Sequence, residues 1–351
     1  MDRQHGTRAT ISDVARVAGV SRQTISNVLN NPERVRPETR ERVLAVIDEQ
    51  GYRPNAAAKQ LRQRRAHALG IELDVTGNRR VSGVLTAFLV ESVLAARTHR
   101  ASIVPFVSAD HERPEPEFDD LVRRQMVDGF IIVDTRLGDP RPAWLRERGI
   151  PFVSFGRVWD DPEHTAWADV DGAAGTATAV EHLVAGGAHQ VAFLGWPSGS
   201  PTGDERRLGW QRATRAAGIE DPSLVQESVQ DVSEATLAAA GLVRRLNPGD
   251  AIVCASDELA MGALRAARAA GLTPGLDCSV VGFDDGPLAE ALGLTTLRQP
   301  VSEIAQHLVA VATGLGDGDD PPAHGRLALP TLIVRATSIR RATPEEEEGR
   351  S

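Results

Sequence analysis

Apolar positions recur every three or four residues through the first fifty residues of the chain, and this spacing predicts three short helices. Gly19 separates the first two helices, where a tight turn favours a residue without a side chain. The third helix is predicted over residues 37–50, because Pro37 suits a first turn and Gly51 suits an end. The apolar positions expected to share a core are Ile11, Val14, Ala15 and Ala18 in the first helix, Ile25, Val28 and Leu29 in the second, and Val43, Leu44 and Ile47 in the third.

Polar residues at the helix starts strengthen this prediction. Thr10 and Asp13 have the spacing of a capping box, and Ser21 is expected to cap the second helix. Two short helices around a glycine turn predict a helix-turn-helix, whose second helix fits the major groove of DNA. A small three-helix bundle is the alternative. It is disfavoured because arginine pairs with guanine edges and asparagine or glutamine with adenine edges, and the outward positions of the second helix are Arg22, Gln23, Ser26 and Asn27.

From residue 68 onward, short apolar runs alternate with helical segments, which predicts α/β units with parallel sheets. Two series of such runs predict two doubly wound subdomains, which bind ligands beyond the carboxyl ends of their strands. The expected buried strands are residues 68–71, 102–107, 129–133 and 151–155 in the first series and 190–194, 251–254 and 279–282 in the second. The expected helices include residues 173–185, 208–217, 259–270 and 302–313.

Charge is distributed unevenly along the 351 residues, whose net charge is −9. Residues 1–65 contain thirteen Lys/Arg and seven Asp/Glu, a net charge of +6, so the remaining residues carry −15. A basic head on an acidic body indicates a polyanion partner for the head alone. The length itself suggests two or three domains.

Cysteine content and hydropathy indicate the compartment. The two cysteines, Cys254 and Cys278, stand in unrelated settings, which disfavours both a disulfide framework and a metal site. No run approaches the ~18 apolar residues of a membrane span, and the first ten residues lack the apolar segment of a signal peptide. We therefore expect a cytoplasmic protein.

Charged residues follow several predicted strands, where such folds bind ligands. Sugar hydroxyls require planar, charged hydrogen-bonding partners, and the C–H faces of a sugar require an aromatic ring. The loop residues with this chemistry include Asp74, Arg157, Arg206, Asp257, Asp284 and Asp285. Two of them have a simpler interpretation as well, because Asp257 is placed to cap the next helix and Asp285 to form a turn.

Tryptophan supplies the aromatic candidates. Trp196, just beyond a predicted strand, is the expected sugar platform. Trp159 and Trp167 are candidates for the platform or for packing at its rim, whereas Trp144 and Trp210 are expected in the core. No phosphate-binding loop, nucleophile elbow or metalloprotease motif occurs in the sequence, so we expect neither an enzyme nor a bound cofactor.

Many spaced positions together form a family signature. In the head they are Thr10-Ile-Ser-Asp-Val-Ala15, Ala18-Gly-Val-Ser21, Thr24-Ile-Ser26, Val28-Leu-Asn30, Glu38-Thr-Arg40, Val43 and Gly51-Tyr-Arg-Pro-Asn55. In the body they are Val170-Asp-Gly172, Arg206-x-x-Gly209-Trp, Ser-Asp257, Val281-Gly-Phe-Asp-Asp285, Leu294-Thr-Thr296 and Leu329-Pro-Thr. By these residues the chain resembles the lactose/galactose-repressor (LacI/GalR) family along nearly its whole length.

The resemblance implies roles for individual residues. A hinge helix over residues 55–66 would order only on operator DNA, where two copies lie side by side in the minor groove. Leu61 would wedge into the central base step, and Ala58 would allow the two helices to approach closely. The DNA-contacting set is then Thr10, Ser21, Arg22, Gln23, Thr24, Ser26, Asn27, Arg36, Thr39, Asn55, Ala58 and Leu61. The effector-binding set is Asp74, Arg157, Trp196, Arg206, Ser256, Asp257 and Asp284, in which Arg206 and Asp284 would grip the effector.

Three positions depart from the family pattern. Asn27 stands where an arginine is usual, and Arg36 stands where a serine or threonine usually precedes the third helix. The operator of a well-known family member therefore does not transfer to this chain. Ser256 replaces an asparagine that often contacts the effector, which places that contact in question.

The expected organisation has five parts. They are a stub over residues 1–9, a helix-turn-helix domain over 10–54, the hinge over 55–66, a periplasmic-binding-protein-like body over 67–340 and an acidic tail over 341–351. The body would consist of one subdomain of residues 67–168 with 298–327 and another of residues 169–297 with 328–340.

We expect a homodimeric repressor of carbohydrate uptake or catabolism genes, released from a pseudo-palindromic operator by a sugar bound between the subdomains. A purine co-repressor, which would strengthen DNA binding, is the alternative within this class. A sugar-binding module without a regulatory role is a second alternative, opposed by the DNA-binding head. The acidic C-terminus lacks a leucine heptad, which favours a dimer over a tetramer.

Overall fold

The computed structural model describes residues 9–52, 65–73, 83–108 and 113–338. The chain divides into two units, Met1–Arg65 and Ala66–Ser351, here called the head and the body. Most of the predicted stub, the predicted hinge up to residue 64 and the acidic tail lie outside the described residues.

The head contains the three predicted helices, α1 (Ile11–Ala18), α2 (Arg22–Asn30) and α3 (Pro37–Glu49). The capping box is confirmed, because the Asp13 amide donates to Thr10 Oγ1 and the Thr10 amide donates to Asp13 Oδ2. Gly19 ends α1 with φ of 64°, a left-handed conformation that glycine adopts at little cost. Ser21 Oγ accepts from the Thr24 amide and so caps α2. Local sequence therefore fixes where α1 begins and ends and where α2 begins.

The core of the head follows the predicted apolar faces with one exception. Its buried residues are Val14, Ala15, Ala18, Ile25, Val28 and Val43. Leu44 was expected in this core, but its side chain is 46% exposed. Successive helical residues lie about 100° apart around the axis, so a helix that buries Val43 against a small core turns Leu44 outward.

The body contains two six-stranded sheets, each with its own flanking helices; we call them the first and second lobes. The first sheet consists of β1 (Ala68–Glu72), β2 (Ser102–Phe106), β3 (Gly129–Ile132), β4 (Phe152–Phe155), β5 (Trp167–Val170) and β11 (Arg326–Ala328). Its order is β11-β5-β4-β3-β1-β2, with every pair parallel. The helices of this lobe are α4 (Gly83–Thr98), α5 (Glu115–Arg123), α6 (Pro140–Glu147) and α11 (Val301–Asp317).

The second sheet repeats this arrangement. It consists of β6 (Val191–Gly195), β7 (Val225–Glu227), β8 (Ala251–Cys254), β9 (Ser279–Asp284), β10 (Thr295–Arg298) and β12 (Thr331–Ile333). Its order is β12-β10-β9-β8-β6-β7, and β12 alone of these strands pairs antiparallel. The helices of this lobe are α7 (Gly172–Ala185), α8 (Pro201–Ala216), α9 (Val232–Val243) and α10 (Asp257–Ala269). The predicted α/β class with two doubly wound lobes is confirmed.

The chain crosses between the lobes after β5, after β10 and after β11. The subdomain boundaries were expected after residues 168, 297 and 327. Each of them falls one or two residues before the end of a strand, because β5, β10 and β11 continue to Val170, Arg298 and Ala328. The chain thus crosses between the lobes three times, while each lobe keeps its own sheet.

All seven expected strands are present, but one differs in its environment. Residues 102–107 were expected to be buried, whereas β2 is half-exposed because it forms the edge of the first sheet. Strands β5, β7, β10, β11 and β12 were not predicted. Three of them, β7, β11 and β12, have only three residues, too few for a measurable periodicity. Trp167, which no predicted strand or helix included, lies in β5. Among the described helices, none has the length and apolar character needed to span a membrane.

Helices α7 and α8 pack closely where α8 carries Gly209. A methyl group at this position would overlap the backbone carbonyl of Ala173 in α7. Backbone atoms give way less readily than side-chain ends, so this contact requires glycine.

We therefore expect Gly209→Ala to lower the free energy of unfolding by about 1–3 kcal/mol, the cost of an overpacked contact. Gly241→Ala is the matched control, since Gly241 also lies within a helix and no atom lies within 4 Å of the added methyl. It should leave stability unchanged or raise it by about 0.4–1 kcal/mol. Urea denaturation of the two variants measures the difference, and equal midpoints would contradict the packing argument.

Candidate functional site

Helix α2 presents the predicted base-contacting residues outside the core of the head. Arg22 and Gln23 are exposed, and Ser26 and Asn27 are half-buried. Gln23 Nε2 donates to Asn27 Oδ1 at 3.1 Å, which links two amides one helical turn apart. Such a pair keeps free donors and acceptors that suit the edges of adenine.

The other predicted DNA contacts of the head lie at helix starts. Thr10 and Ser21 cap α1 and α2, and Thr24 Oγ1 lies 2.9 Å from Ser21 Oγ. Arg36 is exposed at the N-cap position of α3, and Thr39 is half-buried in its first turn. Helix N-termini of this kind attract phosphate groups. The remaining predicted contacts lie outside the described residues and stay predictions: Asn55, Ala58 and Leu61.

A cavity of about 540 Å³ lies between the two lobes of the body, at the carboxyl ends of both sheets. Its wall in the first lobe includes Asp134, Thr135, Arg136, Phe155, Gly156 and Asp169. Its wall in the second lobe includes Trp196, Ser200, Thr202, Arg206, Gln230 and Asp284. In the described part of the chain, no cluster of His, Cys, Asp and Glu side chains suits a metal ion. The cavity is therefore polar on both sides and has one tryptophan in its wall.

Arg206, on α8, is the most buried charged group of the cavity wall. Its guanidinium carbon lies 3.7 Å from the centre of the Phe283 ring and 5.1 Å from that of Trp196. Nη1 donates to the carbonyl oxygen of Ala255 and lies 3.7 Å from Asp284 Oδ1. Burial lowers the pKa of Arg206 from its usual value, and Asp284 opposes this shift. Nε is buried and has no hydrogen-bond partner among the described residues, so the donor capacity of the guanidinium is incompletely used.

Asp284 ends β9 in a strained backbone conformation. Its φ is 121° and that of Asp285 is 54°, values that are uncommon for residues other than glycine. Gln299 Nε2 donates to Asp284 Oδ1 at 2.7 Å. Burial raises the pKa of Asp284 to about 6, although Arg206 and Gln299 act to lower it. Strained, desolvated carboxyl groups in a cleft are typical of ligand sites.

Asp285 was given two interpretations, a ligand contact and a turn residue. Its left-handed backbone fits the turn, and its carboxylate pairs with Arg335 at 2.8 Å and with Arg298 at 2.6 Å. These ion pairs join the end of β9 to β10 and to the segment after β12. Asp285 therefore stabilises the end of β9, directly beside Asp284.

Asp257 is a buried residue at the start of α10, and the alternative that it caps this helix is wrong. Ser256 is the cap, because its Oγ accepts from the amide of the third helical residue. Asp257 Oδ1 accepts from Thr296 Oγ1 at 2.5 Å, and Oδ2 accepts from the Gly286 amide at 2.7 Å. Burial raises the pKa of Asp257 to about 7, and the charge of Asp284 adds to the effect.

Arg157 follows β4 and connects the two lobes. Its Nε donates to Asp169 Oδ2 at 3.0 Å, and its Nη2 pairs with Glu205 of α8. Burial raises the pKa of both Asp169 and Glu205, and the Arg157 charge opposes this. The guanidinium stacks on Trp159 at 4.6 Å and lies 5.9 Å from Trp167. These two tryptophans thus pack at the rim.

Trp196 is the tryptophan of the cavity wall, held by a polar contact at its edge. Its Nε1 donates to Gln230 Oε1 at 2.5 Å, and that oxygen also accepts from Ser256 Oγ at 3.0 Å. Trp210 is 2% exposed and packs in the core, as expected. Trp144 is partly buried against the first-lobe core. The ring of Trp196 is therefore fixed in place with one face toward Arg206.

The predicted effector residues occupy two layers. Trp196, Arg206 and Asp284 line the cavity. Arg157 and Ser256 contact residues of the wall without lining it, through Asp169 and Gln230 respectively. Asp257 likewise lies outside the wall, and Asp74 lies outside the described residues.

Sequence reasoning missed several residues of the wall. They are Asp134, Thr135, Arg136, Asp169, Gln230 and Gln299. Asp134 directly follows a predicted strand, so the reasoning applied to Asp74 would have found it. Gln230 and Gln299 follow β7 and β10, which the apolar pattern did not predict, and no signal in the sequence pointed to them.

Comparison with known proteins finds matches to both units. Residues 10–55 match the family described as bacterial regulatory proteins, lacI family, and residues 180–338 match the periplasmic binding protein-like domain. The HTH-type transcriptional regulator CelR of Thermobifida fusca is 34% identical to this chain over 343 residues. The alignment covers 93% of this chain and 98% of that protein.

Solved structures match across both units as well. The lac repressor dimer bound to operator and the anti-inducer ONPF is 27% identical, with a TM-score of 0.77 over 95% of this chain and 100% of its own. A complex of the transcriptional regulator CelR with cellobiose is 28% identical, with a TM-score of 0.70 over 94% of this chain and 100% of its own.

The raised pKa of Asp257 predicts a pH-dependent stability. The folded protein holds this proton up to about pH 7, whereas the unfolded chain releases it near 3.8. The stabilisation is therefore complete below the unfolded pKa and is lost as the pH rises through the folded pKa. The free energy of unfolding should therefore fall between about pH 4 and pH 8. In Asp257→Asn this fall should be smaller by about 2–4 kcal/mol.

Urea denaturation at both pH values measures this difference. Asp320→Asn, at an exposed position, is the control and should follow the unchanged protein. Parallel pH profiles for Asp257→Asn and the unchanged protein would show that Asp257 does not hold a proton in the fold.

Proposed function

Because the chain belongs to the LacI family of bacterial transcriptional regulators, we propose that it represses genes of carbohydrate uptake or catabolism and is released from its operator by a sugar. Members of this family regulate transcription and are not enzymes. The head provides the DNA-binding function, and the cavity of the body provides a site for the effector.

The observation that carries the sugar assignment is the wall of the cavity. Arg206 lines the cavity with its guanidinium beside Trp196, and Asp284 offers a carboxyl group on the same side. A sugar ring places hydroxyl oxygens and an apolar C–H face within a few ångströms of each other, and this wall has a partner for each. The CelR structure in complex with cellobiose has the same fold, which supports this choice.

We propose a neutral sugar in particular. Asp134, Asp169 and Asp284 face the cavity with Arg136 and Arg206, so the wall carries no excess of positive charge. A sugar phosphate or a uronate would require such an excess, since an unpaired anion in a desolvated cleft is costly.

For the DNA, we propose that α2 reads base edges through Arg22, Gln23 and Asn27, and that Thr10, Ser21, Thr24, Arg36 and Thr39 position the head on the phosphates. Asn55, Ala58 and Leu61 would act in the minor groove. Sugar and operator then weaken each other's binding by the same factor, as linkage requires.

We propose that the active form is a cytoplasmic homodimer. Val90, Val93 and Leu94 are 53%, 43% and 49% exposed, and their spacing puts them on one face of α4. Leu237 and Leu288 of the second lobe are 71% and 58% exposed. Apolar faces of this kind mark an interface, and a two-fold dimer would present two α2 helices to the two halves of a pseudo-palindrome.

Thermal unfolding against a panel of neutral mono- and disaccharides, sugar phosphates and purines tests the effector class. A ligand at 100 times its Kd should stabilise the body by about 2.7 kcal/mol. We expect a neutral saccharide to do so, and we expect the effect to be lost in Arg206→Ala and in Asp284→Asn. Arg212→Ala changes an exposed arginine of the same helix and should keep the response.

A response to purines alone would replace the sugar by a co-repressor, which would strengthen operator binding. The absence of any response would remove the grounds for a sugar-controlled repressor while leaving the DNA-binding head in place.

The dimer is tested by sedimentation velocity. Val93→Glu combined with Leu94→Glu places two charges in the proposed interface and should shift the protein from the mass of two chains to that of one. Met126→Glu is the control, because Met126 is 44% exposed and lies away from α4 in the sequence. The proposal would be refuted if the protein without substitutions already sedimented with the mass of one chain.

A further inference from the structure

Arg141 is a buried cation that does not line the effector cavity. It lies in the first turn of α6, and its side chain is 7% exposed. Nη1 donates to Glu72 Oε2 at 2.9 Å, and Nη2 donates to Asp139 Oδ2 at 2.6 Å. Nε donates to Asp139 Oδ1 at 2.9 Å. The guanidinium is thus held by two carboxylates, of which Glu72 ends β1 and Asp139 caps α6.

Two further acceptors of Arg141 are backbone carbonyls. Nη2 donates to the carbonyl oxygen of Val133 at 2.9 Å and lies 3.4 Å from that of Asp134. These carbonyls stand where β3 ends and the chain turns into the cavity wall. The network therefore joins the end of β1 to the first residues of the loop after β3.

Stability of the fold is a weak reason for such a network. A buried ion pair loses the hydration of both charges, and well-packed apolar residues of the same volume are often as stabilising or more so. What an arginine supplies and an apolar side chain lacks is a planar fork of donors that fixes the direction of each acceptor.

The loop that Arg141 holds is part of the effector cavity. Asp134, Thr135 and Arg136 all line the wall, and Asp134 has a φ of 55° in the left-handed region. This conformation is uncommon for residues other than glycine, and although aspartate adopts it more readily than most, contacts with the adjoining peptide help to select it. The hydrogen bond from Arg141 to the carbonyl directly before Asp134 is such a constraint.

The constraint continues from this loop to the next one. Thr135 Oγ1 donates to the carbonyl oxygen of Arg157 at 2.8 Å, and a side chain at Gly156 would collide with that hydroxyl. Arg157 then pairs with Asp169 and with Glu205 of the second lobe. A continuous series of polar contacts thus runs from Arg141 through the loops after β3 and β4 to the other lobe.

We propose that Arg141 is a positioning residue for effector recognition, which sets the geometry of Asp134, Thr135 and Arg136 and, through Thr135, of Arg157. It touches no ligand itself. This inference rests on the proposed function, because it assumes that the cavity receives the effector.

Two variants and a control test the role. Arg141→Lys keeps a buried charge for Glu72 and Asp139 but lacks the fork that reaches the carbonyls. Arg141→Met combined with Glu72→Gln and Asp139→Asn removes the cation and both carboxylate charges, so no partner of Arg141 is left as an unpaired buried charge, and asparagine can still cap α6. Arg146→Met is the control, since Arg146 lies on the same helix with its side chain 52% exposed.

Isothermal titration with cellobiose and with maltose gives the first readout. Both Arg141 variants should bind the saccharide that the unchanged protein binds about 10- to 100-fold more weakly, as expected when a positioned group is displaced. The stoichiometry should stay the same. A purely structural role would instead lower the stoichiometry by unfolding a fraction of the protein and leave the Kd of the rest unaltered, and that result would overturn the proposal.

Hydrogen exchange without any saccharide gives the second readout. The amides of residues 134–138 and 156–158 should exchange faster in both Arg141 variants than in Arg146→Met, while those of β1 and β3 keep their protection. Equal exchange in these loops would overturn the proposal, whatever the saccharides do. Failure of the unsubstituted protein to bind either saccharide, together with faster loop exchange, would exclude cellobiose and maltose as effectors and still support the positioning of the loops by Arg141.

Discussion

The body is organised around a buried guanidinium whose interactions are incomplete. Arg206 is removed from water and lies between Phe283 and Trp196, with Asp284 too distant for a full hydrogen bond. A charge in this position is stabilised by the aromatic faces and the nearby carboxyl group, yet Nε has no partner in the described protein. This guanidinium and the Asp284 carboxyl group both line the cavity in which we propose that the effector binds.

Parallel strands explain why so many polar groups meet at this cleft. In each sheet the strands that flank the cleft run in one direction, so their carboxyl ends deliver the following loops to one edge. The two edges face each other across the cavity, and wall residues come from both lobes. Burial then raises the pKa of Asp169, Asp284 and Asp257, because the low-dielectric cleft penalises each negative charge.

The head and the body divide the functions according to charge and rigidity. The basic head presents a short capped helix for DNA, whereas the acidic body contains the cavity between its two lobes. Within the body, the contacts of Arg141, Thr135 and Arg157 link the loops of the first lobe and reach the second lobe at Glu205. These contacts and the three crossings of the chain are connections that the described residues provide between the two lobes.

The sequence by itself determined the capped helices of the head, the strand–helix alternation of the body and the roles of Arg206 and Asp284 as candidates, because caps, periodicity and motif spacing are local. It missed the exposure of Leu44, the short strands β5, β7, β10, β11 and β12, and the wall residues Gln230 and Gln299, since these depend on neighbours distant in the chain. Only the tertiary structure placed Arg157 between two lobes and gave Asp257 its partners Thr296 and Gly286. Burial and partner geometry arise when sheets and loops pack together, and no local pattern records them.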